Sequence, residues 1–420
     1  MAQATTRPVF VVDRMTRSES RNNSDSDSAP LQSSCSLCGA DNNSVVFSVA
    51  NFPANISVFH SSVAEAQAAL TGDIELRCCQ ICGFVWNARY DPGKVEFSPN
   101  YEASLARSPT FQSYIHSLCE HLIEKRGIRN KRVLDIGCGD GFFLQTLCLK
   151  GSNTGVGIDP SLPTRVRSQA NVEFLRDTFG HHHNDYIGDL VTLFSVFEDL
   201  QKPLQMLRDL RQMLEGNRNR LLYIEVPSFD YMLRERQTWS VYYEQRNHFS
   251  LHTLQQFLKF SGFEVIGQGD AYLDGQYIYA EAVPAETSMT SSSVSEAICR
   301  DALVLGEQFS QSHQDRVTRW DERMSLWTAA GKSVVIWGAG GKANSFLNCV
   351  PSASAIKRVV DINRRRQGLF TPCRGQQVVA PDSLIGDPAD IVLVANGAYL
   401  DEIKSEAYAL GLNSEIQILD

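Results

Sequence analysis

The chain has 420 residues, of which 43% are apolar and 21% charged, with a formal net charge of -9 and a pI near 5.6. These are the proportions of a globular protein too long for one ordinary core, so roughly two to four domains are expected. An acidic chain is a poor partner for nucleic acid, no apolar run approaches the roughly 18 residues of a membrane span, and the start lacks a signal-peptide core; an intracellular, cytoplasmic protein is expected.

Residues 1–30, ending in SESRNNSDSDSAP, are polar and nearly free of aromatics. Such a segment buries too little surface to offset its ordering entropy, which predicts a disordered tail. Order is expected to begin at LQSSCSLCGA, opening a first domain over 31–92. Cys35 and Cys38 form one Cys-x-x-Cys pair, Cys79 and Cys82 a second, and each pair is followed by a glycine, Gly39 or Gly83. The spacing lets both thiolates of a pair reach one tetrahedral ion, so the pattern is that of two zinc knuckles around a structural zinc. Cys78 is adjacent to the second pair, but Cys79 has the right spacing. Four unligated core thiols are the alternative.

A second domain is expected over 93–285. KRVLDIG, TGVGID, LVTLFSV and RLLYIEV are apolar runs of strand length, alternating with helical stretches at 141–150, 202–214 and 252–261. That alternation predicts a parallel sheet flanked by helices. FEVIGQGDAYL and QYIYAEAV follow around an Asp-Gly turn as an antiparallel hairpin. Together they outline the Rossmann-like methyltransferase fold. Residues 286–330 read as a linker and one long helix, and 331–420 as a smaller C-terminal Rossmann-like α/β domain.

VLDIGCGDGFFLQTL carries the strongest chemical signal: a strand runs into Gly137, Gly139 and Gly141 and a helix follows. Glycines there admit a ligand close to the backbone, at a helix start with free N–H groups. A dinucleotide would prefer G-x-G-x-x-G. The spacing here is G-x-G-x-G, with Asp135 at the strand end, whose charge suits an ammonium or sulfonium better than a pyrophosphate. The loop resembles that of S-adenosylmethionine methyltransferases. That resemblance gives Asp159 the ribose hydroxyls, the alternative being a turn or helix-capping residue before Pro160. Phe179 either lines the adenine pocket or is plain core.

Taken in order, the knuckles, NFPANISVF, YEAS at 101–104, the glycine loop, YYEQRNHFS, WGAGGKANSFLN, VVDINRRRQGLFTP and ADIVLVANGAYLDEI resemble the three-domain sugar C-methyltransferases from about residue 35 onward. The resemblance implies methylation of a keto-deoxysugar carried on a nucleoside diphosphate, in a crevice between the second and third domains. It also implies a histidine base that removes the proton next to a ketone. Tyr242 and Glu244 match that family's pattern, whereas Gln245 stands where its base would be and Asp199 where a further histidine would be. Glutamine cannot accept a proton at neutral pH.

Replacement bases are sought nearby. His248 has a suitable ordinary pKa and, in a helical segment, would share a face with Glu244; anchoring the loop is its alternative role. Asp199 and Tyr243 are further candidates. Tyr101 matches a family tyrosine near substrate, or is simply packed. Gly338, Gly340 and Gly341, with Asp361 beyond, have a dinucleotide look, yet the domain is only half a Rossmann unit. Lys342 is expected to contact a substrate phosphate or carboxylate, and Arg364, Arg365 and Arg366 to form a solvated turn.

The sequence therefore predicts an S-adenosylmethionine-dependent methyltransferase acting on a small, possibly nucleotide-linked molecule, with no nucleic-acid or membrane partner. O- or N-methylation, an inactive binding protein of the same fold, and an NAD-dependent oxidoreductase are the alternatives.

Overall fold

The computed structural model describes residues 31–286 and 296–419. The expected tail and the TSMTSSSVSE linker fall on or beside undescribed positions: residues 1–30 and 287–295 lie outside the described residues.

Three sheets organise the chain. The first is antiparallel: β1 (Asn43–Pro53), β2 (Thr71–Cys79) and β3 (Val85–Asn87), with α1 (Val63–Gln67) between the first two strands. The second contains β4 (Arg132–Ile136), β5 (Thr154–Ile158), β6 (Val172–Leu175), β7 (Leu190–Phe194) and β8 (Leu221–Pro227). It is interleaved with α2 (Pro109–Lys125), α3 (Phe142–Gly151), α4 (Pro203–Met213) and α5 (Phe229–Arg234). A two-residue strand, β9 (Asn247–His248), and α6 (Leu251–Phe260) precede the closing hairpin of β10 (Phe263–Asp270) and β11 (Tyr277–Pro284). The strand order is β10-β11-β8-β7-β4-β5-β6, parallel from β8 to β6 and antiparallel at the hairpin. This is the Rossmann-like methyltransferase fold that the alternating runs predict, and the observed helices agree with the expected ones within a residue.

The long helix α7 (Glu296–Ala329) leads to a third sheet, formed by β12 (Val334–Trp337), β13 (Arg358–Val360), β14 (Gln377–Val379), β15 (Ile391–Val394) and β16 (Glu415–Ile418), with α8 (Gly341–Cys349), α9 (Ser383–Gly386) and α10 (Leu400–Ala409). All its pairings are parallel, in the order β14-β13-β12-β15-β16. The order reverses at β12, so a crevice opens at the carboxyl ends of its strands. The second sheet reverses at β4. Both glycine loops therefore occupy switch points.

The first sheet has too little chain for a core of its own. It shares one with the second: Phe84 from the β2–β3 turn packs on Phe249 and Phe257, with ring centroids 5.6 and 4.9 Å apart. The fourth strand of the first sheet is β9, where Val85 pairs with His248 and Trp86 with Asn247. A segment expected within the second domain thus completes the sheet of the first. No helix among the described residues is long and apolar enough to cross a membrane.

Candidate functional site

One cavity of about 830 Å³ lies where the carboxyl ends of the second and third sheets face each other. Gly137, Gly139, Asp159 and Phe179 line it, together with Tyr101, Asp199, Tyr242, Glu244, Gln245 and Lys342. Ten side chains or loop positions chosen from scattered parts of the sequence thus border one space.

The glycine loop begins where β4 ends, and Gly137 (φ +74°) turns the chain in the left-handed region. A Cβ at Gly137 would stand 2.7 Å from Val196, so only glycine fits. Across from it, Asp159 ends β5. Its Oδ2 accepts the Gly139 N–H at 2.8 Å, and its Oδ1 accepts both the N–H and the hydroxyl of Ser161 at 2.6 Å. Two bonds fill Oδ1, while Oδ2 keeps one acceptor direction for a ligand.

Four predicted residues do not line the cavity. Asp135 is fully buried beneath the loop, where Thr192 donates to it at 2.6 Å; burial pushes its carboxyl up to about 7. Gly141 (φ +77°) caps α3, and any Cβ there would strike the Phe174 ring. Tyr243 sits in a bend with Glu244 and, unlike Tyr242 and Glu244, does not line the cavity. Its ring stacks on Tyr90, and its hydroxyl donates to Arg89 O and accepts from the Asp91 N–H at 2.8 Å. His248 corrects the expectation most. Residues 242–248 are not helical, so Glu244 and His248 share no helical face. His248 is buried in β9 with its ring 5.2 Å from that of Phe229, and burial lowers its pKa to about 4, so it stays neutral away from the cavity.

Glu244, by contrast, faces inward. Its Oε2 accepts the Ile56 N–H at 2.9 Å and its Oε1 accepts the Tyr101 hydroxyl at 3.3 Å. Burial nevertheless raises its carboxyl to about 8. Asp199 is held well above the usual carboxylate range, first by burial and then by the neighbouring Glu198 charge. Glu198 itself is pushed up to about 8 by burial. Sequence reasoning missed Glu198, and also Glu225 at the end of β8, which accepts the hydroxyls of Tyr114 and Tyr223 and is raised to about 7 by burial. Glutamate beside aspartate in FEDL reads as surface; only the fold buries it.

On the third-sheet side, Lys342 opens α8. Its ammonium meets Gln237 Oε1 at 3.0 Å and Asn396 Oδ1 at 3.4 Å, and burial lowers its pKa to about 8. The second glycine loop copies the first. Asp361 accepts the Ala339 and Asn363 N–H groups just as Asp159 accepts those of Gly139 and Ser161. Here, however, Arg366 donates at 2.9 Å to Oδ2, the oxygen that already accepts the Ala339 N–H. The oxygen that Asp159 leaves open toward a ribose is thus taken in Asp361, whose Oδ1 accepts, among the described residues, the Asn363 N–H alone. The arginine run is therefore no simple solvated turn: Arg366 is buried, and Arg365 pairs with Glu102 at 2.5 Å.

Outside the cavity lining, the four sulfurs of Cys35, Cys38, Cys79 and Cys82 lie within 4.8 Å of one another, with Cys35–Cys82 and Cys38–Cys79 at 3.5 Å. A tetrahedral ion with metal–sulfur bonds of ~2.3 Å spaces its sulfurs by ~3.8 Å, so the set fits. Gly39 (φ +79°) and Gly83 (φ +72°) make the two turns. The Cys78 thiol is directed instead to the Cys79 and Gly83 carbonyls.

Residues 111–268 match the family model described as a methyltransferase domain, and residues 301–413 match that of a C-methyltransferase C-terminal domain. A stretch of 78 residues is 31% identical to the tRNA U34 carboxymethyltransferase of Alteromonas mediterranea, covering 19% of this chain and 22% of that one. Another of 85 residues is 31% identical to the ubiquinone biosynthesis O-methyltransferase of Erwinia tasmaniensis, covering 18% and 35%. The chain thus spans well under half the length of these curated relatives. Among solved structures, the magnesium protoporphyrin IX methyltransferase of Synechocystis with bound S-adenosylhomocysteine aligns over 42% of this chain and 84% of its own at 16% identity, with a TM-score of 0.33.

Proposed function

We propose that the chain is an S-adenosylmethionine-dependent methyltransferase acting on a small molecule held between the second and third sheets. The observation that carries this reading is the Gly137–Asp140 stretch of the glycine loop and Asp159 bordering one cavity with a polar wall from another part of the chain. The matches to a methyltransferase domain and a C-methyltransferase C-terminal domain support it, as does the sheet order. When bound, the cofactor supplies a methyl group on a sulfonium, a good leaving group. The protein's own task is then chiefly to align donor and acceptor. Asp159 Oδ2 and the loop N–H groups are assigned to the nucleoside and Phe179 to the adenine. Tyr101, Tyr242, Glu244, Gln245, Asp199 and Lys342 are assigned to the acceptor.

Resemblance makes C-methylation of a nucleotide-linked keto-deoxysugar the default. Gln245 and Asp199, standing in place of histidines, favour a second reading, in which the acceptor atom brings its own lone pair and needs no enolising base. The four cysteines are assigned a structural zinc. Calorimetric titration with S-adenosylhomocysteine and, separately, with NAD tests the cofactor: the former is expected to bind and the latter not. Binding of NAD alone would refute the proposal.

A further inference from the structure

The wall formed by residues 197–199 and 242–245 is rich in acceptors. Glu198 is only 4% exposed, and its Oε2 has no hydrogen-bond partner. Asp199 Oδ1 and Gln245 Oε1 are likewise shielded and unpartnered. All three residues border the cavity. Among the described residues no ion pair involves Glu198, Asp199 or Glu244. Of the cations that border the cavity with Arg107, Lys342 is held by two amides, Arg365 pairs with Glu102 and Arg366 with Asp361; Arg246, next to Gln245 in sequence, lies over the Tyr90 ring at 5.4 Å and bonds to Gln32. Unpartnered buried acceptors cost free energy that a ligand can recover by donating to them.

The required ligand is rich in N–H donors and positively charged. A phosphate or carboxylate would set like charge against this wall, and a hydroxyl brings one donor to three acceptors. A metal ion is disfavoured too. Among the described residues no three carboxylates of this wall bring their oxygens within 4.8 Å of one another, as the four sulfurs of the cysteine set do.

Resting on the methyltransferase reading above, we infer that the methyl acceptor is the nitrogen of an amine, seated as its ammonium against Glu198, Asp199 and Gln245. The ammonium gives one proton to the Asp199 carboxylate, freeing its lone pair. The nitrogen attacks the sulfonium methyl, the N–C bond forms, and the C–S bond breaks with its electron pair passing to sulfur. The positive charge moves from sulfur to the methylated nitrogen, where the Glu198 carboxylate faces it. The raised carboxyls fit this scheme, because a cation seated beside them favours their ionised form.

Two isosteric pairs test it by calorimetry on the full chain, with and without S-adenosylhomocysteine: UDP-glucosamine against UDP-glucose, and benzylamine against benzyl alcohol. The amine of at least one pair is expected to bind about tenfold or more tightly than its alcohol. With S-adenosylmethionine, that amine is expected to gain a methyl on nitrogen by mass spectrometry. Glu198→Gln and Asp199→Asn should erase the preference while S-adenosylhomocysteine still binds. If those variants do not fold, Gln245→Lys, which places an ammonium in the pocket, should block amine binding. Alcohols binding as well as amines in both pairs, no amine binding, a preference that survives the substitutions, or a methyl on carbon would each overturn the inference. Failure of S-adenosylhomocysteine to bind the unaltered protein would instead sink the cofactor reading, and the amine preference would still be read out in its absence.

Discussion

Burial raises several carboxyls around the second sheet: Asp135 and Glu225 to about 7, Glu198 and Glu244 to about 8, and Asp199 well above its usual range. Each is raised chiefly by burial, so each binds its proton more tightly folded than unfolded, where carboxyls titrate near ~4. The stability linked to these protons is therefore fully present below that unfolded range and is lost as pH climbs through 7 and 8. Thermal unfolding of the unliganded protein should show a midpoint that falls over this window. Glu198→Gln, which removes one titrating group, should make the fall shallower. A midpoint that rises with pH across the same range would contradict the burial of these groups.

At the scale of elements, the decisive piece is the turn from β4 into α3. Gly137 needs a left-handed backbone and leaves no room for a Cβ against Val196. Gly137→Ala adds strain of about 1 kcal/mol or more from the backbone alone, and must also move Val196 or the loop. The expected outcome is a lowered unfolding midpoint with S-adenosylhomocysteine affinity reduced at least about tenfold. Unchanged affinity on calorimetric titration would remove the loop from the cofactor site. The second decisive element is the segment 241–249, in which Tyr242 and Glu244 face the cavity while Tyr243 and His248 anchor to the first sheet. A bend at residues 243–244 and the short β9 separate the residues that border the cavity from those that hold them.

The whole molecule is coupled through these anchors. The first sheet has no independent core, and it borrows β9 and the Phe249–Phe257 surface from the second domain. Segment 101–108 links the glycine loop to the third domain: Ser104 donates to Asp140 at 2.6 Å, and Arg366 donates to Glu102 O at 2.7 Å. Removing the zinc proposed for the four cysteines with a strong chelator should therefore do more than loosen the first sheet. It is expected to lower the unfolding midpoint of the whole protein, as structural sites contribute directly to folding, and to weaken ligand binding at the cavity through β9. Cys35→Ser with Cys38→Ser should reproduce both effects without chelator. An unaltered midpoint and unaltered affinity would show the cysteine set to be dispensable.

Much of this was legible from local pattern. Apolar runs of strand length, helical periodicity and the antiparallel closing pair depend on residues close in sequence, so the α/β class and the glycine loop follow from the chain alone. Two Cys-x-x-Cys pairs pointed to their own convergence because ligand spacing is itself local. The orientation of single side chains was not local. YYEQRNHFS could be read as a helix start or as a loop, and only the pairing of Asn247 and His248 with β3, a strand far away in sequence, holds His248 away from the cavity. Glu198 and Glu225 carry no periodic signal, and their burial comes from sheets that close over them. Sequence determined which groups the protein possesses; tertiary packing decided which of them lost water, and loss of water is what gives a carboxyl an unusual proton affinity and an unfilled bond.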